Sequence, residues 1–248
     1  MHINEMKRIF ASLIIVFFTL LAFSVKAQDQ DGPKSYFGFF GGVSLPVGEF
    51  KSTDYNNNKA GFGKMGLDYG LDGAYYFHKN FAIGASIAYQ DNSELNQTNA
   101  DNLAAGYTAS YGADATTVTA TKRYQTVNVL LGPQYSFTKG KFIFDIRATA
   151  GILKVYGTPE TSILLSGITD QTATFYQRSA SSTVFAYGGN ASIRFKLSEN
   201  VFLTARGSYL NTQGPAITND DRSTNIGRIV TRQPISTLQT TLGLSFGL

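Results

Sequence analysis

Between Phe142 and Ile152 apolar and polar residues alternate. Phe142, Phe144, Ile146, Ala148, Ala150 and Ile152 form one set, and Ile143, Asp145, Arg147, Thr149 and Gly151 the other. Successive side chains of a strand point to opposite faces, so a strand here turns the first set to an apolar medium and the second to a polar one. A helix would put Asp145 and Arg147 among the apolar side chains. The same period of two recurs in Tyr36 to Val47, Leu67 to Phe77, Phe81 to Tyr89 and Val127 to Phe137. It recurs again in Phe185 to Lys196, Val201 to Tyr209 and Ile235 to Leu248, which makes eight predicted strands.

The connections alternate as well. His78-Lys79-Asn80, Thr138-Lys139-Gly140 and Ser198-Glu199-Asn200 read as hairpin turns. The other links, at 51–64, 92–122, 157–181 and 210–234, are long and rich in Asn, Thr, Ser, Asp and Gly. Short turns at one end and long loops at the other predict an all-β fold, an eight-stranded antiparallel up-and-down transmembrane β-barrel. An even strand number puts both termini on the short-turn, periplasmic side. Ten residues at ~3.3 Å each, tilted by ~40°, span about 25 Å, the height of the apolar band. Tyr69 and Phe77, Phe81 and Tyr89, and Tyr135 and Phe137 sit near strand ends, where aromatic girdles belong.

The N-terminus carries a different signal. Met6-Lys7-Arg8 is a basic start, and Ile9 to Phe23 is an apolar run too short for a spanning helix, which needs ~20 residues. Val25 and Ala27 suit a cut before Gln28. This is a signal-peptide pattern, with a retained anchor as the alternative. The expected organisation is a cleaved segment 1–27 and a barrel domain 28–248, with translation starting at Met1 or Met6.

Composition narrows the reading. Of the 248 residues, 43% are hydrophobic and only 15% charged, against roughly 25% charged for an ordinary soluble domain. That excludes a disordered chain. With no cysteine there is no disulfide framework, no Cys-based metal site and no cysteine nucleophile. A mean hydropathy of −0.08 argues against a bundle of membrane helices. The net charge is +4, of which Lys7, Arg8 and Lys26 against Glu5 supply +2 within the cleaved segment. No basic stripe points to nucleic acid. A soluble eight-stranded barrel also alternates, with its apolar face inward. Lipid is favoured because the polar faces here hold mostly Gly, Ser, Ala and Thr, and the few charges at strand centres have mixed sign.

The C-terminus, Thr241-Leu242-Gly243-Leu244-Ser245-Phe246-Gly247-Leu248, resembles the assembly signal of outer-membrane barrels at Thr241, Gly243, Phe246 and Leu248, departing from it in ending on Leu where Phe is commoner. The whole chain resembles small eight-stranded outer-membrane proteins of the OmpA-transmembrane, OmpX and OmpW types. It looks most like the outer-membrane β-barrel and PorT-like proteins of Bacteroidetes. That resemblance is carried by Ala27 to Gln30, Gly38 to Gly42, Pro46 to Phe50 and Thr241 to Leu248. It implies a bacterial outer-membrane location, contact with lipid and lipopolysaccharide, and insertion by the barrel-assembly machinery. The expected role is structural or interactive, for a monomer working through the four loops on extracellular or envelope proteins. A narrow channel for small, apolar solutes is one alternative, as OmpW-like relatives suggest. A PorT-like secretion or assembly factor is the other.

Asp68, Asp72, Asp145, Arg147, Arg194 and Arg206 are expected to face the lumen as a buried ion-pair network, since eight strands leave an interior that side chains fill and buried charges must pair. The plain reading is structural and the sharper one a gated conduit. His78, the only histidine after the cleaved segment, falls in a predicted periplasmic turn, so no Ser–His pair is expected at the outer leaflet. No enzymatic activity, cofactor or metal is expected. Asn219-Asp220-Asp221 lacks the spacing of a calcium loop and reads as a solvated turn. Ala115 to Thr121 and the apolar Ser162 to Ile168, with Leu164-Leu165, read as strand extensions beyond the membrane or as a partner contact. Projecting hairpins of that kind can pair edge to edge with foreign strands.

Overall fold

A computed structural model describes residues 32–168, 171–217 and 232–248. The predicted signal peptide, Ala27 to Gln30 and Asn219-Asp220-Asp221 lie outside them. The described strands are β1 (Tyr36–Pro46), β2 (Gly66–His78), β3 (Phe81–Glu94), β4 (Ala115–Thr121), β5 (Arg123–Lys139) and β6 (Phe142–Gly157). They continue with β7 (Glu160–Ile168), β8 (Gln171–Gln177), β9 (Ser182–Lys196), β10 (Val201–Thr212) and β11 (Ile235–Gly247). Two helices join them, α1 (Gly48–Lys51) and α2 (Gln97–Tyr111).

Eight strands close into one barrel in the order β1-β11-β10-β9-β6-β5-β3-β2, every neighbour antiparallel. These are the eight expected from the alternation, several of them longer at the loop end. The register fixes the barrel's width. From Asp145 the cross-strand partners run through Ser192, Arg206, Thr241, Gly42, Asp68, Gln90 and Thr126. They return to the starting strand at Val155. A stagger of ten residues over eight strands corresponds to a tilt of roughly 40° and a bore that side chains can fill. Both described ends meet on the turn side, where the Leu248 N–H donates to the Ser35 carbonyl at 2.8 Å.

The alternation is inverted relative to a soluble barrel. Ile146 is 61% exposed on the outer wall, while its chain neighbours Asp145 and Arg147 are buried. The same wall carries exposed Leu67, Leu71, Ile83, Ile87, Leu131, Ile152, Leu203 and Leu242. Aromatic rings border it. At the turn end Phe81 packs on Tyr135, Phe137 on Phe144 and Phe142 on Phe195, with centroids 5.1, 4.9 and 5.1 Å apart. At the loop end Tyr69 packs on Tyr89 at 5.2 Å, in line with exposed Tyr156, Tyr187 and Tyr209. An apolar wall between two aromatic belts is what a bilayer solvates and water does not.

The two apolar segments in the expected loops are strands, but they form a sheet of their own, ordered β4-β7-β8. They leave the barrel at breaks after Lys122, which has φ 62°, and after Gly157. The Lys122 ammonium, 2.7 Å from Glu160, and the Tyr176 hydroxyl hold the Glu160 carboxyl below the usual carboxylate range. Helix α2, which the polar run 97–111 did not predict, packs on this sheet. Asn96 caps it by accepting from the Asn99 N–H at 3.0 Å, and Gly112 ends it in the left-handed region. Leu103 and Tyr107 of α2 share a core with Ile163, Leu165 and Phe175. Leu165 is thus fully buried within the chain, whereas Leu164 points to solvent.

The outer wall makes a sharp prediction. Ile146→Arg lowers stability by about 2–4 kcal/mol in lipid vesicles, the cost of a cation near the bilayer midplane. On a soluble barrel the same exposed position would tolerate arginine within ~0.5 kcal/mol. Reversible urea unfolding in vesicles distinguishes the two.

Candidate functional site

Alternation along eight tilted strands sends small and polar side chains into the lumen, where they stack in layers. The lowest lies at the turn end and holds five of the six charges singled out above. Asp145 on β6 takes a two-point contact from Arg194 on β9, with Nε–Oδ2 and Nη2–Oδ1 both 2.8 Å. Ser136 and Ser192 add hydrogen bonds to the same carboxylate at 2.6 and 3.0 Å. Beside it Asp72 on β2 is clamped by Arg147, with Nη1–Oδ1 at 2.7 Å and Nη2–Oδ2 at 3.2 Å. Arg206 on β10 donates to the same Asp72 Oδ1 at 2.8 Å.

Three residues weld the two clusters together. Gln134 Oε1 accepts from Arg147 Nε and Nη2 at 2.9 and 2.6 Å, while its Nε2 donates to Asp145 at 3.3 Å. Tyr36 donates to Asp72 at 3.1 Å and accepts from Arg147 at 3.1 Å, and its ring lies 3.9 Å from the Arg194 guanidinium. Tyr76 accepts from Arg194 Nη2 at 2.8 Å. Arg206 lies over the Phe40 ring at 3.7 Å. Arg194 is the largest wholly buried side chain described. The fit needs room: a Cβ at Gly84 would collide with the Arg147 guanidinium, so glycine is required there by close approach.

Asp68 stands apart. It is buried, but it makes no ion pair among the described residues, and its Oδ1 has no hydrogen-bond partner there. The register explains this. Gly42 and Thr241, on two intervening strands, separate it from Arg206, whose guanidinium is engaged by Asp72 and Phe40. Three arginines against two aspartates leave the layer one positive charge in excess, and Asp68 balances it through space.

At the loop end an apolar cluster fills part of the lumen, beside buried polar Ser44, Gln90 and Asn92. Leu130, Leu153, Val155, Ala186, Leu210 and Ile235 point inward and form one cluster with Tyr124 and Phe50. Phe50 comes from α1, outside the barrel wall, and is 0% exposed. Its ring meets Tyr124 edge-on at 4.9 Å, and the Tyr124 hydroxyl donates to the Gly61 carbonyl at 2.9 Å. The segment between β1 and β2 therefore corks the mouth. Alternation placed the lumen charges. It also puts Gln134 on the polar face of its strand, while the residues it left unnamed are Tyr36 and Phe40, readable from the inward phase of β1, and Phe50, which no period marks.

The other residues singled out fall elsewhere. His78 ends β2 two residues beyond Tyr76 of the ionic layer, with its ring against Phe81. Thr241 is buried in the lumen, Gly243 pairs with Phe40 and Phe246 packs on Phe37 at 5.5 Å, so this stretch closes the barrel against β1. Among the described residues no group of three or more His, Cys, Asp or Glu is placed to hold a metal ion.

Unpairing a buried charge sets the expected costs. Arg194→Ala orphans Asp145 and costs about 3–5 kcal/mol, and Arg147→Ala does nearly as much by leaving Asp72 to Arg206 alone. Asp68→Asn, which breaks no direct pair, costs less than either. Loss of heat-resistant gel mobility on urea titration ranks the three.

No protein-family model matches the chain, and no curated protein matches it. Solved structures do. The chain is similar to Neisserial surface protein A, with 10% identity over 86% of this chain and 97% of that one, at a TM-score of 0.47. It is similar to Ail, the attachment invasion locus protein of Yersinia pestis, with 12% identity over 87% and 100%, at 0.42. The outer membrane protease OmpT of Escherichia coli matches with 8% identity over 90% and 99%, at 0.37. These are likenesses of barrel architecture, which hosts unrelated roles.

Proposed function

We propose that this protein is an integral outer-membrane barrel, with both termini in the periplasm, that acts as a scaffold displaying a folded module at the cell surface rather than as a pore or an enzyme. The carrying observation is a lumen closed twice, by the ionic layer around Asp72 and Asp145 and by the apolar cork at Phe50. A solute would have to break buried ion pairs and unseat an aromatic side chain to pass. Catalysis has no support in this layer, where each paired charge is held by opposite charge and hydroxyl groups, leaving neither a base nor a nucleophile poised for a substrate. The apolar wall would contact lipid and lipopolysaccharide, and the β11 terminus would be read by the barrel-assembly machinery. What faces outward is the module of α2, β4, β7 and β8, and loops on a rigid scaffold are where binding residues concentrate. A PorT-like role in secretion would use the same surface.

Purified barrel in a planar bilayer is expected to show no conductance steps. Phe50→Ala is expected to stay silent too, because the ionic layer remains beneath it. Steady single-channel conductance by the unmodified protein would overturn the scaffold reading in favour of a channel.

A further inference from the structure

The barrel has no strand edges, but the module outside it has two, at β4 and β8. An edge strand presents unpaired N–H and C=O groups, and natural proteins blunt such edges with Lys, Pro, bulges or a covering segment. The β4 edge carries none of the first three. Its seven residues, Ala-Thr-Thr-Val-Thr-Ala-Thr, contain no charge, proline or glycine. They pair with β7 over their full length without a register shift, from Ala115↔Ser166 to Thr121↔Glu160. On the other side of β4 no strand lies among the described residues. The β8 edge differs, because its pairing slips between Leu165 and Ile168.

The chemistry around β4 states what fits. Thr117, Thr119 and Thr121 are exposed on the outward face, beside exposed Leu164. Charge appears only at the two ends, at Asp114 and at the Lys122–Glu160 pair. The inward face is already stiffened, since Val118 packs with the module core and Thr116 shares a 2.8 Å hydrogen bond with Thr108 of α2. An uninterrupted, uncharged edge framed by charges suits an extended, uncharged main chain about seven residues long.

We propose that β4 is a docking edge that takes an extended, uncharged segment of a partner protein as a fourth strand of the module's sheet. This rests on the surface-display reading above and names the surface it uses. Main-chain hydrogen bonds would supply the affinity, and the uncharged outward row the selectivity.

The test uses the whole barrel in nanodiscs and a fluorescent heptapeptide of alternating threonine and valine. Saturable binding is expected. Thr117→Lys with Thr119→Lys, which leaves every β4–β7 pair in place, is expected to weaken it roughly tenfold or more. Asn102→Lys on the exposed side of α2 should leave it unchanged. The same peptide with its alternate amides N-methylated, unable to pair, should not bind. Heat-shift of gel mobility checks that each variant is folded. Absent binding, or equal binding by the lysine pair or by the methylated peptide, overturns the proposal. The chain has no cysteine, so Thr119→Cys gives a clean separate readout with an impermeant maleimide on intact cells. No labelling would sink the surface-display reading itself, whereas labelling without peptide binding would sink only the docking edge.

Discussion

Lipid offers no partner for a backbone N–H or C=O, and the whole structure follows from that. Every strand that crosses must be paired on both sides, so the sheet must close. Closure is made by β1 and β11, paired residue for residue from Tyr36↔Gly247 to Pro46↔Thr237. Once closed at eight strands and a ten-residue stagger, the bore is one that side chains can fill. The wall must then be apolar outside and its charges must go in, where each needs an opposite charge. The low charge content and the mixed-sign pairs at strand centres have this one cause.

The ionic layer does not add much net stability, because desolvating an arginine and an aspartate offsets most of their attraction. Its effect is on which arrangement is allowed. Asp145 binds Arg194 at two points and Asp72 binds Arg147 at two points, a geometry that planar guanidinium groups hold and lysine would not. Gln134 ties the clusters so that neither can rotate alone. A slip of one residue in any of these strands would turn its charge into lipid. The layer thus fixes register for strands that lipid-facing side chains, all similarly apolar, would specify weakly.

The barrel was legible because period two survives everywhere the chain crosses the membrane, and Asp145-Ile146-Arg147 alone dictates which face is which. The lumen charges were legible for the same reason. Their pairing was not. Nothing in the sequence says which aspartate meets which arginine, and only the cross-strand register, with Gly42 and Thr241 between them, sets Asp68 apart from Arg206. Helix α2 was hidden for a different cause. Its apolar stripe, Ala100, Leu103, Tyr107 and Tyr111, is thin and set among Asn, Thr and Ser, and it is held by Leu103 and Tyr107 against strands more than fifty residues later. Asn96 and Gly112 were its clearest local marks. Phe50 was silent because a single aromatic beside a polar link carries no period, and its burial comes from five strands of the wall.

Plug and module are not independent parts. The segment between β1 and β2 sends Phe50 down into the apolar mouth, while Ala60 and Phe62 go up into the module core. Between them Tyr124 of the wall holds the Gly61 carbonyl, Asn99 of α2 holds that of Phe62 at 3.0 Å, and Gln233 before β11 holds that of Lys59 at 2.9 Å. Phe62 itself sits at φ 53°, a backbone state costly for a bulky side chain and kept only because both neighbours are anchored. Lifting Phe50 far enough to open the mouth would pull on that anchor and strip the module of two core residues. The segment that enters the mouth is thus also the footing on which the module stands, and the two move together.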